Sequence, residues 1–125
     1  MKAKHYDLLI NGEWLPSDSS ERFDVINPAT GEVVAACAKA GVAETGRALE
    51  SAQAAFEAWR QKPARERCDL MHQAASIFRE RIDDIARLLT LEHGKPLQDS
   101  YKELHFSADV IDYYAEEARR QFGRH

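Results

Sequence analysis

Cysteine, histidine and carboxylate side chains are the groups here that could attack a carbonyl, move a proton or hold a metal. Two cysteines, Cys37 and Cys68, lie far apart with no Cys-x-x-Cys pair, so neither a disulfide framework nor a zinc site is indicated. Cys37 ends the apolar run Val33-Val34-Ala35-Ala36-Cys37 and reads as a small core residue. Cys68 falls among Arg65, Glu66, Arg67 and Asp69 near a helix start. Arginines facing it would lower its pKa, but free cysteine is more often a small buried apolar group. The five histidines, His5, His72, His93, His105 and His125, are scattered without metal-ligand spacing and read as surface or boundary residues. His105 follows Glu103 by two positions, an offset that points helical side chains to different faces. Glu116-Glu117 precede Arg119-Arg120, and Glu80, Asp83 and Asp84 surround Arg79 and Arg81; such mixed charge marks solvated faces with weak ion pairs. There is no GxSxG, P-loop, GxGxxG or HExxH motif. Residue chemistry alone specifies no reaction.

The elements that would position these groups change character along the chain. Leu8-Leu9-Ile10 and Glu13-Trp14-Leu15 flank Asn11-Gly12, a dipeptide that supplies the positive φ angles of a two-residue hairpin. Pro16 and Ser17-Asp18-Ser19-Ser20 break the pattern, and Phe23, Val25 and Ile26 make a second short strand. Asn27-Pro28-Ala29-Thr30-Gly31 is turn chemistry, after which Glu32 to Ala38 resumes as a strand.

From Val42 the period becomes 3.6, with Thr45, Ala48, Leu49, Ala52, Ala55, Phe56 and Trp59 on one stripe. Lys62-Pro63 ends that helix and starts the next. Met71, Ala74, Phe78, Ile82, Ile85 and Leu89 recur at helical steps, and Asp83 is placed to cap a fresh start that would divide the segment. His93-Gly94-Lys95-Pro96 is a stop signal. A last helix from about Leu97 to Phe122 carries Tyr101, Leu104, Ala108, Ile111, Ala115, Ala118 and Phe122 at steps of three and four, with Gly123 placed to end it. Such a stripe is a coiled-coil seam or the buried face of a domain helix.

With 125 residues the chain has room for one domain with a modest core. Its net charge of −4 offers no basic face to nucleic acid or anionic lipid, and no apolar run approaches the roughly 20 residues that cross a bilayer. The polar N-terminus lacks the apolar stretch of a secretory signal, so a cytoplasmic location is expected.

The order of short motifs is more specific than any one of them. Ile10-Asn11-Gly12-Glu13-Trp14, then Val25-Ile26-Asn27-Pro28-Ala29-Thr30-Gly31-Glu32, resembles the opening of NAD(P)-dependent aldehyde dehydrogenases. Ala54-Ala55-Phe56 with Trp59, Glu66-Arg67, Leu91-Glu92-His93-Gly94-Lys95-Pro96-Leu97 and Tyr113-Tyr114-Ala115 continue the series. The resemblance runs from about Leu8 to Gly123. It implies an α/β fold over residues 1–125, with a β-hairpin and short strands at about 8–38 and three to four helices at about 43–122. These would form part of a Rossmann-like cofactor domain. The run Ala86-Arg87-Leu88-Leu89-Thr90-Leu91-Glu92 leans towards the semialdehyde-oxidising branch, including succinate-semialdehyde dehydrogenases.

In that family a cysteine thiolate attacks the aldehyde, an asparagine and a backbone N–H hold the oxyanion, hydride passes to the nicotinamide, and a glutamate activates water. Those residues and the cofactor-binding glycine turn belong downstream of this sequence. The resemblance therefore implies no catalytic and no cofactor-binding residue here. The chain would be inactive by itself, with NAD or NADP serving the whole enzyme and none held by this segment alone. Its expected partners are the remainder of the enzyme chain and further copies in a homo-oligomer. Some family members hold a structural monovalent cation, and the matching positions are the Ile26 carbonyl and the Glu103 carboxylate, oxygen donors suited to a hard cation. A solvated carboxylate on the last helix is the alternative for Glu103. The alternative for the whole chain is a free-standing helical interaction module using the Tyr101 to Phe122 face.

Overall fold

The computed structural model describes residues 4–120. They divide into two compact units: the residues through Arg60 together with Leu91–Gly94, and Gln61–Thr90 together with the residues from Lys95 onward.

The first unit is built on strands β1 (Lys4–Tyr6), β2 (Leu8–Ile10), β3 (Glu13–Leu15), β4 (Arg22–Ile26) and β5 (Val33–Ala38), followed by helix α1 (Val42–Gln61). β2 and β3 form the expected antiparallel hairpin, pairing Leu8 with Leu15 and Ile10 with Glu13. Asn11 and Gly12 turn it with φ of 53° and 79°, the two positive angles of a type I′ turn. β5 is the middle strand of a second sheet, antiparallel to β4 and parallel to β1. The pattern reading began the strands at Leu8 and missed β1, whose polar Lys4-His5-Tyr6 has no apolar alternation to betray it. Between β4 and β5, the Asn27 carbonyl accepts from Thr30 and Gly31 while its side-chain oxygen accepts from the Ala29 N–H at 2.9 Å. Gly31, at φ 74°, completes that turn.

Gly94 ties two of the sequence motifs together. It follows the last helical residue of α3 with φ 68°, and a Cβ there would stand 2.9 Å from the Ala29 amide nitrogen and 3.0 Å from Pro28 Cγ. Only glycine suits both the angle and the approach.

α1 starts at a cap made by a glutamate side chain. Glu44 sits in the first turn, and its carboxylate accepts from the Gly41 N–H at 2.9 Å and from the Asp18 N–H at 2.7 Å. It thereby joins the loop after β3 to the helix start. Arg47 returns a two-pronged bond to Asp18 at 3.0 Å on each oxygen. The apolar stripe of α1 is open: Leu49 is 66% and Phe56 54% exposed.

The second unit contains α2 (Ala64–Glu80), most of α3 (Ile82–His93) and α4 (Leu97–Glu117). The expected break between α2 and α3 occurs at Arg81, and Asp83 lies within the first turn of α3 rather than capping it. There its carboxylate accepts from the Tyr101 hydroxyl at 3.0 Å. Ile82, Ala86 and Leu104 form the core cluster, with Phe78, Ile85, Leu89, Leu97 and Tyr101 packed around it. α2 packs along α4 through small residues, with Ala75, Ala108 and Ala115 all buried. On α2 the buried residues are Cys68 and Ala75, while Ala74 of the periodic stripe is exposed. α4 ends at Glu117, earlier than the pattern predicted, and Ala118 to Arg120 form a turn. Phe122 and Gly123 lie outside the described residues. No described helix is long and apolar enough to cross a membrane.

Candidate functional site

Four chemically active side chains meet where α2 faces α4. Cys68 and His72 are four residues apart on α2, and Asp112 and Glu116 are four apart on α4, so each helix offers two groups on one face. His72 Nδ1 is 2.6 Å from Asp112 Oδ1, and its Nε2 is 2.9 Å from Glu116 Oε1. The Cys68 thiol reaches the same Glu116 oxygen at 3.6 Å. Arg79 holds the other side of Asp112, with Nη2 2.7 Å from Oδ2, and also meets Asp109 at 2.8 Å. Arg119 lies 3.6 Å from the second oxygen of Glu116.

This geometry fixes the proton inventory. Two carboxylates accept from one ring, which must then donate from both nitrogens, the state of the imidazolium. The hydrogen bonds to Glu116 and then Asp112 raise the His72 pKa above the ordinary imidazole value. Reciprocally, the bond from His72 lowers the pKa of Glu116, and His72 followed by Arg79 lowers that of Asp112. Burial pushes the Cys68 thiol up, and the adjacent Glu116 charge pushes it further. Its 1% exposure and the neighbouring carboxylate both favour the thiol over the thiolate. The flanking arginines considered from the sequence do not reverse this; the opposing cation is Arg119, whose effect is smaller than those of burial and Glu116.

His72 is a boundary residue, as expected, and the structure adds its two carboxylate partners; Arg79 pairs with Asp109 and Asp112 on the facing helix. The legible signal was the pair of four-residue spacings, Cys68 to His72 and Asp112 to Glu116. Neither spacing alone indicates which faces meet. Glu117 and Arg120 do form the exposed i,i+3 pair expected of a solvated face. Cys37 is half-buried in β5 of the first unit. Of the two residues implied for a cation, Ile26 closes β4 in the first unit. Glu103 lies on α4 in the second, its carboxylate paired with Lys95 Nζ.

A dinucleotide pyrophosphate is bound where a glycine-rich turn feeds unused N–H groups into a helix start. The positive-φ glycines described here sit in a hairpin, an Asx turn and a helix end, at Gly12, Gly31 and Gly94. The Gly41 N–H at the start of α1 is already taken by Glu44. Among the described residues these glycines serve turns and a helix end.

A strand-rich unit and paired helices, with this series of turn motifs, define a mixed α/β segment. The model of the aldehyde dehydrogenase family matches residues 14–125, and the chain belongs to that family. It is 46% identical over 114 residues to a glutarate-semialdehyde dehydrogenase of Pseudomonas putida, covering 91% of this chain and 24% of that protein. It is 42% identical to an NADP-dependent succinate-semialdehyde dehydrogenase of Escherichia coli, over 92% of this chain and 24% of the relative. The crystal structure of succinate-semialdehyde dehydrogenase from Burkholderia pseudomallei superposes with a TM-score of 0.90 at 41% identity, over 95% of this chain and 25% of that one. The chain thus spans about a quarter of the length of the curated relatives it matches.

Proposed function

We propose that this chain is the opening segment of an NAD(P)-dependent semialdehyde dehydrogenase, and that by itself it is scaffold without turnover. The observation that carries this reading is the family match over residues 14–125, a stretch whose buried Cys68 thiol is hydrogen-bonded to Glu116. The aldehyde in this reading bears a second, acidic end, as succinate and glutarate semialdehydes do; the relatives named for those substrates support it. Oxidation to the acid uses NAD or NADP held by other parts of the longer protein. The exposed apolar groups of α1, together with Phe106, Tyr113 and Tyr114 on α4, suit burial against those parts or against further subunits.

The test is a chimera. Residues 1–125 replace the matching quarter of the Escherichia coli succinate-semialdehyde dehydrogenase, and NADP-dependent oxidation of succinate semialdehyde is followed. The scaffold reading predicts a folded chimera with kcat within about tenfold of the parent, since no catalytic contact is exchanged and tenfold corresponds to about 1.4 kcal/mol of barrier. A folded chimera without turnover would show that the segment carries chemistry that this reading denies it.

A further inference from the structure

Three donor atoms on two helices converge on one point: Cys68 Sγ, His72 Nε2 and Glu116 Oε1. Sγ and Oε1 are 3.6 Å apart, Nε2 and Oε1 2.9 Å, and all three lie within 4.8 Å of one another. A tetrahedral zinc with bonds of about 2.3 Å to sulfur and about 2.0 Å to nitrogen or oxygen sets its ligands roughly 3.5 Å apart. The separations of 3.6 and 2.9 Å lie on either side of that value. We propose that these three side chains bind a divalent transition metal of the zinc class, with Asp112 as the positioning residue for the imidazole.

The surroundings are those of a supported site. Asp112 takes the Nδ1–H of His72, which aims Nε2 at the common point, and Arg79 fixes Asp112 in turn. A carboxylate behind a ligating histidine is the usual arrangement that sets the tautomer and strengthens the donor. Thiolate, imidazole and carboxylate together favour zinc over calcium or magnesium, which prefer oxygen alone. The charges balance. The point now holds two protons, on Cys68 Sγ and His72 Nε2, both directed at Glu116. A divalent ion displaces both into solvent and leaves the cluster's net charge unchanged. Access is open on one side, because the His72 and Glu116 side chains are 38% and 45% exposed while Cys68 forms the floor. Three protein ligands leave a fourth position for water.

The test is a Co2+ titration of the full chain carrying Cys37→Ser, so that Cys68 is the sole thiol. The expected result is one Co2+ per chain, a thiolate-to-cobalt charge-transfer band in the near ultraviolet and intense visible bands of tetrahedral cobalt, all chased by Zn2+. Cys68→Ser removes the charge-transfer band, and Glu116→Gln removes or greatly weakens it. Asp112→Asn keeps the band but raises the Kd about 10- to 100-fold, an effect on affinity that mere fold support would not produce. Absence of a saturable band in the Cys37→Ser chain overturns the site. That chain decides the matter even where Cys68→Ser fails to fold. A band surviving in folded Cys68→Ser, or one undiminished in folded Glu116→Gln, also overturns it, and an unchanged Kd in Asp112→Asn removes Asp112 from its assigned role.

Discussion

The two units are held by different means. In the first, backbone geometry does most of the joining: the Asn11-Gly12 turn, the Asn27 turn, the three-stranded sheet and the N–H groups gathered by Glu44. Its larger apolar side chains, among them Leu9, Trp14, Phe23, Leu49 and Phe56, are open to solvent. In the second, side chains do the joining, with Ile82, Ala86 and Leu104 in the core and charged groups paired across α2 and α4. The difference explains where the family signature lies. Most of its turn motifs belong to the first unit, where a residue is chosen for the φ angle it permits. The second unit holds the groups with chemical capacity, and there the choice is of side chains on facing helices.

Substitutions should therefore behave differently in the two units. The largest effect is expected in the second: Ile82→Ala empties the core cluster and should cost about 2–5 kcal/mol, read as a lower denaturant midpoint by circular dichroism. A cost below that of a surface substitution would mean that the helical unit is not held by this core. In the first unit, Gly94→Ala forces a Cβ against the Ala29 amide nitrogen at a positive φ and should cost about 1–3 kcal/mol. Unchanged stability in that variant would break the claim that backbone fit joins the two motifs.

A smaller effect is set by pH. The N–H of Asp18, then that of Glu44 itself and that of Gly41, lower the Glu44 pKa below its ordinary value of 4.5. A carboxylate lowered by folding contributes stability above that ordinary value and loses it as pH falls through the lower folded value. Melting temperatures should therefore fall on the acid side of about pH 4.5. Glu44→Gln should melt lower at neutral pH and lose less on acidification; an identical acid limb in the two proteins would contradict the assignment. The smallest effect belongs to Lys39→Ala, whose ion pair with Glu21 is exposed on both sides and should leave the melting temperature unchanged within error.

Much of the first unit was legible from sequence, because glycine, proline and asparagine in turns act through local backbone preference. β1 was not, since its pairing with β5 joins residues about thirty positions apart and leaves no local pattern. The helices were legible from their period, and the stripe from Tyr101 to Ala115 is largely buried as expected. The α1 stripe from Thr45 to Trp59 has the same periodicity and is exposed, so periodicity identified a helix without identifying what covers it. The Cys68, His72, Asp112 and Glu116 cluster was hidden for a related reason. Its two halves are about forty residues apart in sequence, and only the packing of α2 on α4 joins them.

The central claim is that this segment is scaffold for a dehydrogenase and performs no oxidation itself. The direct measurement is the reduction of NAD and NADP by the 125-residue chain with succinate and glutarate semialdehydes, followed by absorbance of the reduced nicotinamide. The predicted result is no reduced cofactor above the blank at any chain concentration. Reduction that rises in proportion to the chain and disappears in Cys37→Ser or Cys68→Ser would contradict the account, because it would make one of these cysteines the nucleophile.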